Sequence, residues 1–169
     1  MSYEMTFKYI VNRDSISTEC PKFKHHLISI HSPEDSPPIL PVCENRLDVL
    51  TLSFSDINYI PKEPFYSCLM ADVIKEIPLI YFEAPMARKI LDFVEALFKD
   101  GKMYVIHCDA GISRSPGVAA ALNKIYFNED SYYFKNYSPN SLVYTTILKV
   151  YYDEYYRREI SKDYDWLFK

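Results

Sequence analysis

The chain has 169 residues, 49% apolar and 25% charged, with 3 Gly against 11 Pro, 16 Tyr and 10 Phe. A chain of this length buries about 70% of the surface its unfolded form exposes, enough for one core without staples, and its composition excludes disorder, collagen and coiled coil. Charge is 19 basic against 23 acidic residues, net −4, which excludes a general attraction to nucleic acid or to an anionic membrane, so an anionic ligand has to be held locally.

Taken in chain order, MTFKYIV at 5 to 11 alternates Met5, Phe7, Tyr9 and Val11 and predicts a strand with these four on one face. HLISI at 26 to 30 and DVLTLSF at 48 to 54 predict two more strands. Between them SPEDSPPILPVCE concentrates four prolines and reads as a stiffened surface loop. From Pro85 to Lys99 the apolar positions Ile90, Phe93, Val94, Leu97 and Phe98 recur at three and four, predicting a helix that Gly101 stops. MYVIH at 103 to 107 is apolar on both faces, as a central parallel strand should be. A second helix is predicted from Ser115-Pro116 and a third from about Pro139 to Ile160. Strands alternating with helices imply one α/β domain over residues 1–169. Its central, mainly parallel sheet of four or five strands is flanked by helices and presents its site at one edge.

The N-terminus has no basic segment followed by an apolar one, and no apolar run reaches membrane-spanning length. A soluble cytoplasmic protein is expected, with Cys20, Cys43, Cys68 and Cys108 as free thiols, since no Cys-x-x-Cys pair or secretory signal is present. Cys20, His25, His26, His31 and Cys43 show no compact ligand spacing, and His25 and His26 point to opposite faces of an extended segment, so no metal is expected. In the Tyr-rich YYDEYYRRE, Tyr151 and Tyr155 share a helical stripe, which favours packing over a partner surface.

The chemistry concentrates in MYVIHCDAGISRSPGVAAAL, a strand, a short turn and a helix. Backbone N–H groups of a tight loop entering a helix converge, and the helix dipole adds positive potential, so the turn from Asp109 through Ala110, Gly111, Ile112 and Ser113 is a socket for a phosphate dianion. Gly111 suits the sharp turn, Arg114 can fork two N–H groups onto phosphate oxygens, and Cys108 faces the same centre as a nucleophile whose thiolate form the socket favours. His107-Cys108, five residues, then Arg114-Ser115 resembles the signature of the cysteine-dependent protein tyrosine and dual-specificity phosphatases, and the loop GISRS makes the match closer. The resemblance spans roughly the last two thirds of the chain. The first 45 residues are only loosely similar to the small prokaryotic-type branch of that superfamily.

The resemblance implies a metal-independent phosphomonoester hydrolase without cofactor, acting on a phosphorylated protein or a small phosphomonoester through a phosphocysteine. It places His107 behind the loop, helping to hold the cysteine ionised, and Ser115 on the sulfur; the same serine suits a helix N-cap. Leaving-group departure needs an acid. Asp56 is the first candidate because it ends a strand that emerges at the loop's edge if parallel to 103–107, although the family's acid stands nearer the cysteine. Asp72, which stands nearer, is the runner-up, followed by Glu63 and Glu76. Asp109, where lipid phosphatases of this superfamily are commonly basic, disfavours multiply phosphorylated substrates and puts phosphotyrosine first. Asn140 resembles a residue that braces the phosphate loop and equally suits the N-cap of the closing helix. Two other readings stay open: a phosphate-binding pseudophosphatase lacking a working acid, and a rhodanese-like sulfurtransferase carrying a persulfide on Cys108.

Overall fold

The structure is a computed structural model that describes residues 6–58 and 79–164, the last nine of these without side chains. Four strands, β1 (Tyr9–Val11), β2 (His25–His31), β3 (Arg46–Ser53) and β4 (Met103–His107), form one sheet in the order β1-β4-β2-β3. Every pairing is parallel, and β4 lies in the interior between β1 and β2. The central position explains why MYVIH is apolar on both faces. Along β2 and β4 alternate side chains divide between two clusters. Ile28, Ile30, Tyr104 and Ile106 enter the larger core, while Leu27 and Val105 join Ile16 of the short helix α1 (Arg13–Thr18) on the other face.

The larger core is closed by α2 (Ala84–Leu97), α3 (Arg114–Phe127), α4 (Ser131–Asn136) and α5 (Ser141–Tyr164). The period of three and four in α2 puts Ala87, Ile90, Leu91 and Val94 inside, and a 3-10 turn, Phe98–Asp100, ends at Gly101 in the left-handed region (φ 70°). Glycine occupies that conformation without steric cost, so the predicted stop is found. The Pro-rich segment joins β2 to β3 without helix or strand, as predicted. The chain is a single-domain α/β protein of the expected class, and no helix among the described residues is long and apolar enough to cross a membrane.

Three expectations are corrected. The first strand is only three residues long because residues 6 and 7 turn before it. Phe7 therefore enters the larger core while Tyr9 packs edge-on against Phe23, so they do not share a face. Met5 lies outside the described residues. The third helix begins at Ser141, after a separate short helix α4. Cys20 and Cys43 are not free thiols: their Cα atoms stand 5.6 Å apart and the sulfurs are bonded, pinning the Pro-rich loop to the segment after α1. Cys108 is free and buried, and Cys68 lies outside the described residues.

His25 and His26 do face opposite ways, His25 against Phe23, and His26 against Phe93 with Nε2 2.8 Å from Asp100. Among the described residues no group of three or more His, Cys, Asp or Glu could hold a metal ion. Tyr151 packs against the core, while Tyr155, stacked on it, remains 49% exposed, so only half of the predicted stripe is buried.

Candidate active site

β4 ends at His107, wholly buried, and the register of β2 on β4 sets Ser29 beside it. Ser29 Oγ lies 2.7 Å from His107 Nε2. Burial pushes the imidazole pKa down to about 4, a shift only partly opposed by the Cys108 backbone and the Asp109 charge, so the ring is neutral at pH 7. Cys108 follows, 1% exposed, with Ser115 Oγ donating to its sulfur at 3.1 Å.

The loop from Asp109 to Ser113 then turns back into α3. Gly111 sits at φ 70°, and a Cβ there would come within 3.0 Å of the Val11 carbonyl carbon and oxygen, so both conformation and space require glycine. Ile112 is 55% exposed at the rim. The loop is held from below by main-chain bonds, Ser138 N–H to Ile112 O (3.1 Å), and Asn140 and Gly117 N–H to Ser113 O (2.9 Å each). Because α3 begins at Arg114, its unpaired N–H groups and dipole point at the loop.

Arg114 is 4% exposed. Its Nη1 donates to Phe54 O at 2.9 Å and to Ser32 Oγ at 3.1 Å, and its Nη2 donates to Asp109 Oδ2 at 2.5 Å. Nε is buried without a hydrogen-bond partner among the described residues and lies 3.8 Å from Asp56 Oδ2. The guanidinium is thus fixed along one edge, while its Nε–H and one Nη2–H are left uncommitted. That is the planar fork that matches two oxygens of a phosphate.

Asp109, inside the loop, faces both Arg114 and Arg13. Its Oδ2 also accepts from Ser32 Oγ at 2.7 Å, and its Oδ1 accepts from Arg13 Nη1 at 3.2 Å. Burial alone would raise the carboxyl pKa, but these hydrogen bonds and the Arg114 charge outweigh it and hold the group below the usual carboxylate range.

Asp56 follows β3 and reaches the loop from the other side. Its Oδ1 accepts from Ser113 Oγ at 2.7 Å and from Asn140 Nδ2 at 2.8 Å, with the side chain 40% exposed. Asn140 lies between the loop and the start of α5. Its Oδ1 caps α5 by accepting from Val143 N–H at 3.0 Å, while its main chain and amide brace Ser113 and Asp56. Cys108, Asp109, Gly111, Ser113, Arg114, Ser115, Asp56, Asn140 and, behind them, His107 are therefore one connected cluster. Ala110 and Ile112 lie on its loop, whereas Glu63, Asp72 and Glu76 lie outside the described residues.

Sequence reading missed Arg13, Ser29 and Ser32. Arg13 and Ser32 each follow the C-terminal end of a parallel strand, the edge at which open α/β sheets bind ligands, so their place in the chain was a usable signal once strand direction was assumed.

No protein-family model and no curated protein sequence matches the chain. Solved structures do resemble it. The human tyrosine phosphatase-like serine/threonine/tyrosine-interacting protein aligns at TM-score 0.50 and 17% identity, covering 79% of this chain and 78% of that one. PTPMT1 in complex with PI(5)P aligns at TM-score 0.49 and 14% identity over 80% and 81%, and Tk-PTP in its active form at 0.45 and 15% over 86% of each. With its single parallel sheet and flanking helices, the chain has the fold of the human tyrosine phosphatase-like protein.

Proposed function

We propose that this protein is a phosphomonoester hydrolase working through a phosphocysteine, with phosphotyrosine or another aryl phosphate ester as its first class of substrate. The observation that carries the reading is the buried Arg114 fork, held along one edge and with its Nε–H lacking a hydrogen-bond partner among the described residues, at the end of the loop that Cys108 begins. A buried guanidinium N–H without a partner is costly, and a phosphate oxygen satisfies it. Arg13 and Arg114 are offset by Asp109 and Asp56, so the socket has no surplus positive charge for a second phosphate group.

In this reading the phosphate sits on the loop N–H groups and the Arg114 fork, and Cys108 Sγ attacks phosphorus in line. The S–P bond forms as the P–O ester bond breaks, and Asp56, entering protonated, gives its proton to the departing oxygen. Asp56 then takes a proton from water, whose oxygen attacks phosphorus; the S–P bond breaks and Ser115 Oγ–H stabilises the leaving sulfur. Ser113 and Asn140 hold Asp56 by Oδ1, which keeps Oδ2 directed toward the socket. His107, neutral and buried, supports the loop and transfers no proton.

The test is release of phosphate from para-nitrophenyl phosphate in excess chelator. The native chain is expected to turn over, and Cys108→Ser to lose at least about a thousandfold in kcat. A native chain without turnover, or a variant with undiminished turnover, overturns the proposal.

A further inference from the structure

Arg114 performs its role only if its guanidinium is turned the right way, and the hydrogen bonds that turn it come from Asp109 within the Cys-to-Arg signature and from Phe54 and Ser32 outside it. Resting on the reading of residues 108–114 as a phosphate loop, we propose that Asp109 is a positioning residue. Together with Arg13 and Ser32, it holds Arg114 with its Nε–H and remaining Nη2–H toward the substrate phosphate.

Both carboxylate oxygens of Asp109 are committed, Oδ2 to Arg114 Nη2 (2.5 Å) and Ser32 Oγ (2.7 Å), and Oδ1 to Arg13 Nη1 (3.2 Å). Such a carboxylate is not placed to move a proton. It is itself anchored, because Arg13 N–H donates to the Asp109 carbonyl at 3.0 Å, so one residue at the β1–α1 junction grips both its main chain and its side chain. Arg13 in turn is fixed by the Ser36 carbonyl, 2.6 Å from Nη2, on the Pro-rich loop. Ser32 closes the ring: its hydroxyl donates to Asp109 and accepts from Arg114 Nη1 at 3.1 Å.

The side chain of a long, flexible arginine loses rotamer freedom when it is held in one geometry. Meeting this cost during folding rather than during binding raises affinity without adding a contact to the ligand. Nη1 is fully occupied by Phe54 O and Ser32, and Nη2 is half occupied by Asp109. Rotation that broke the Asp109 bond would swing Nε away from the socket.

The experiment uses Cys108→Ser, which binds phosphate without turning it over, and measures orthophosphate affinity by titration calorimetry. Adding Asp109→Asn is expected to weaken binding about tenfold, and Arg13→Ala severalfold, with the pair together less than additive because both act on Arg114. Arg13→Lys is expected to recover part of the loss. Should Asp109→Asn fail to fold, Arg13→Ala decides alone. A folded Asp109→Asn or Arg13→Ala that binds within twofold of its parent overturns the proposal, since a merely structural role would move the unfolding midpoint and not the affinity of the folded chain. Absence of aryl phosphate turnover with Cys108 intact overturns the hydrolase reading alone. Absence of phosphate binding in the parent Cys108→Ser overturns both.

Discussion

His107 contributes stability that depends on pH, because its ring is buried neutral beside Ser29. In the folded chain it takes up a proton only near pH 4, against 6.5 when unfolded, so between these values the unfolded state holds the extra proton. The contribution is complete above pH 6.5 and is lost as pH falls toward 4, by up to about 3 kcal/mol. Burial lowers the His25 pKa as well and adds to the slope. Urea midpoints from pH 7.5 to 4.5 should therefore fall less steeply for His107→Gln than for the native chain, and equal slopes would contradict this. Asp56 is tested by its leaving groups. Asp56→Asn should lower kcat on phenyl phosphate by about 10²–10⁴, lower it less on para-nitrophenyl phosphate, and flatten the fall of rate on the alkaline side, where a general acid has lost its proton. Asp72→Asn should leave that limb intact; a reversed pattern would move the role to Asp72.

At the scale of elements, the legibility of the helices followed their length. The helices α2 and α3, each 14 residues, show their buried positions or their Pro-assisted start in the sequence, and both ends of α2 and the start of α3 were predicted to within a turn. The helices α1 and α4 have 6 residues each, under two turns, too few for a period to register. The alternation at 5 to 11 misled because a turn at Phe7 breaks the period of two before β1 starts. The join of α3 to the start of α5 rests on a glycine. A Cβ on Gly117 would stand 2.9 Å from the Asn140 carbonyl oxygen, so glycine there permits backbone contact across elements. This close approach lets the Asn140 N–H reach Ser113, and it ties the start of α5 to the loop from Asp109 to Ser113.

For the molecule as a whole, the Cys20–Cys43 bond changes what was expected of the thiols. It closes a loop of 23 positions in sequence, for which the chain-entropy account gives about 3 kcal/mol of stabilisation. Guanidinium unfolding with and without reductant should show a loss of that order, and Cys20→Ser/Cys43→Ser should show it without reductant; equal midpoints would remove the bond from the stability of the fold. The bond also excludes Cys43 as a ready partner for Cys108 under oxidation. The loop it pins carries Ser36, which holds Arg13, so the tether and the site share one segment.

The sequence alone pointed to Cys108, Arg114, the glycine turn and the helix start, because these lie within one strand–loop–helix whose geometry is local. It also ranked Asp56 ahead of Asp72, from the position of Asp56 at a strand end, and the structure brings Asp56 to Ser113 and Asn140. The grip on Arg114 was decided only by tertiary structure. Phe54, Ser32, Asp109 and Arg13 come from the ends of β3, β2, β4 and β1, widely separated in the chain, and a wholly parallel sheet delivers those ends to one edge. Composition and periodicity report which residues are buried and on what period. They carry no information about which strand neighbours which, and that order decides which side chains meet around the loop between Cys108 and Arg114.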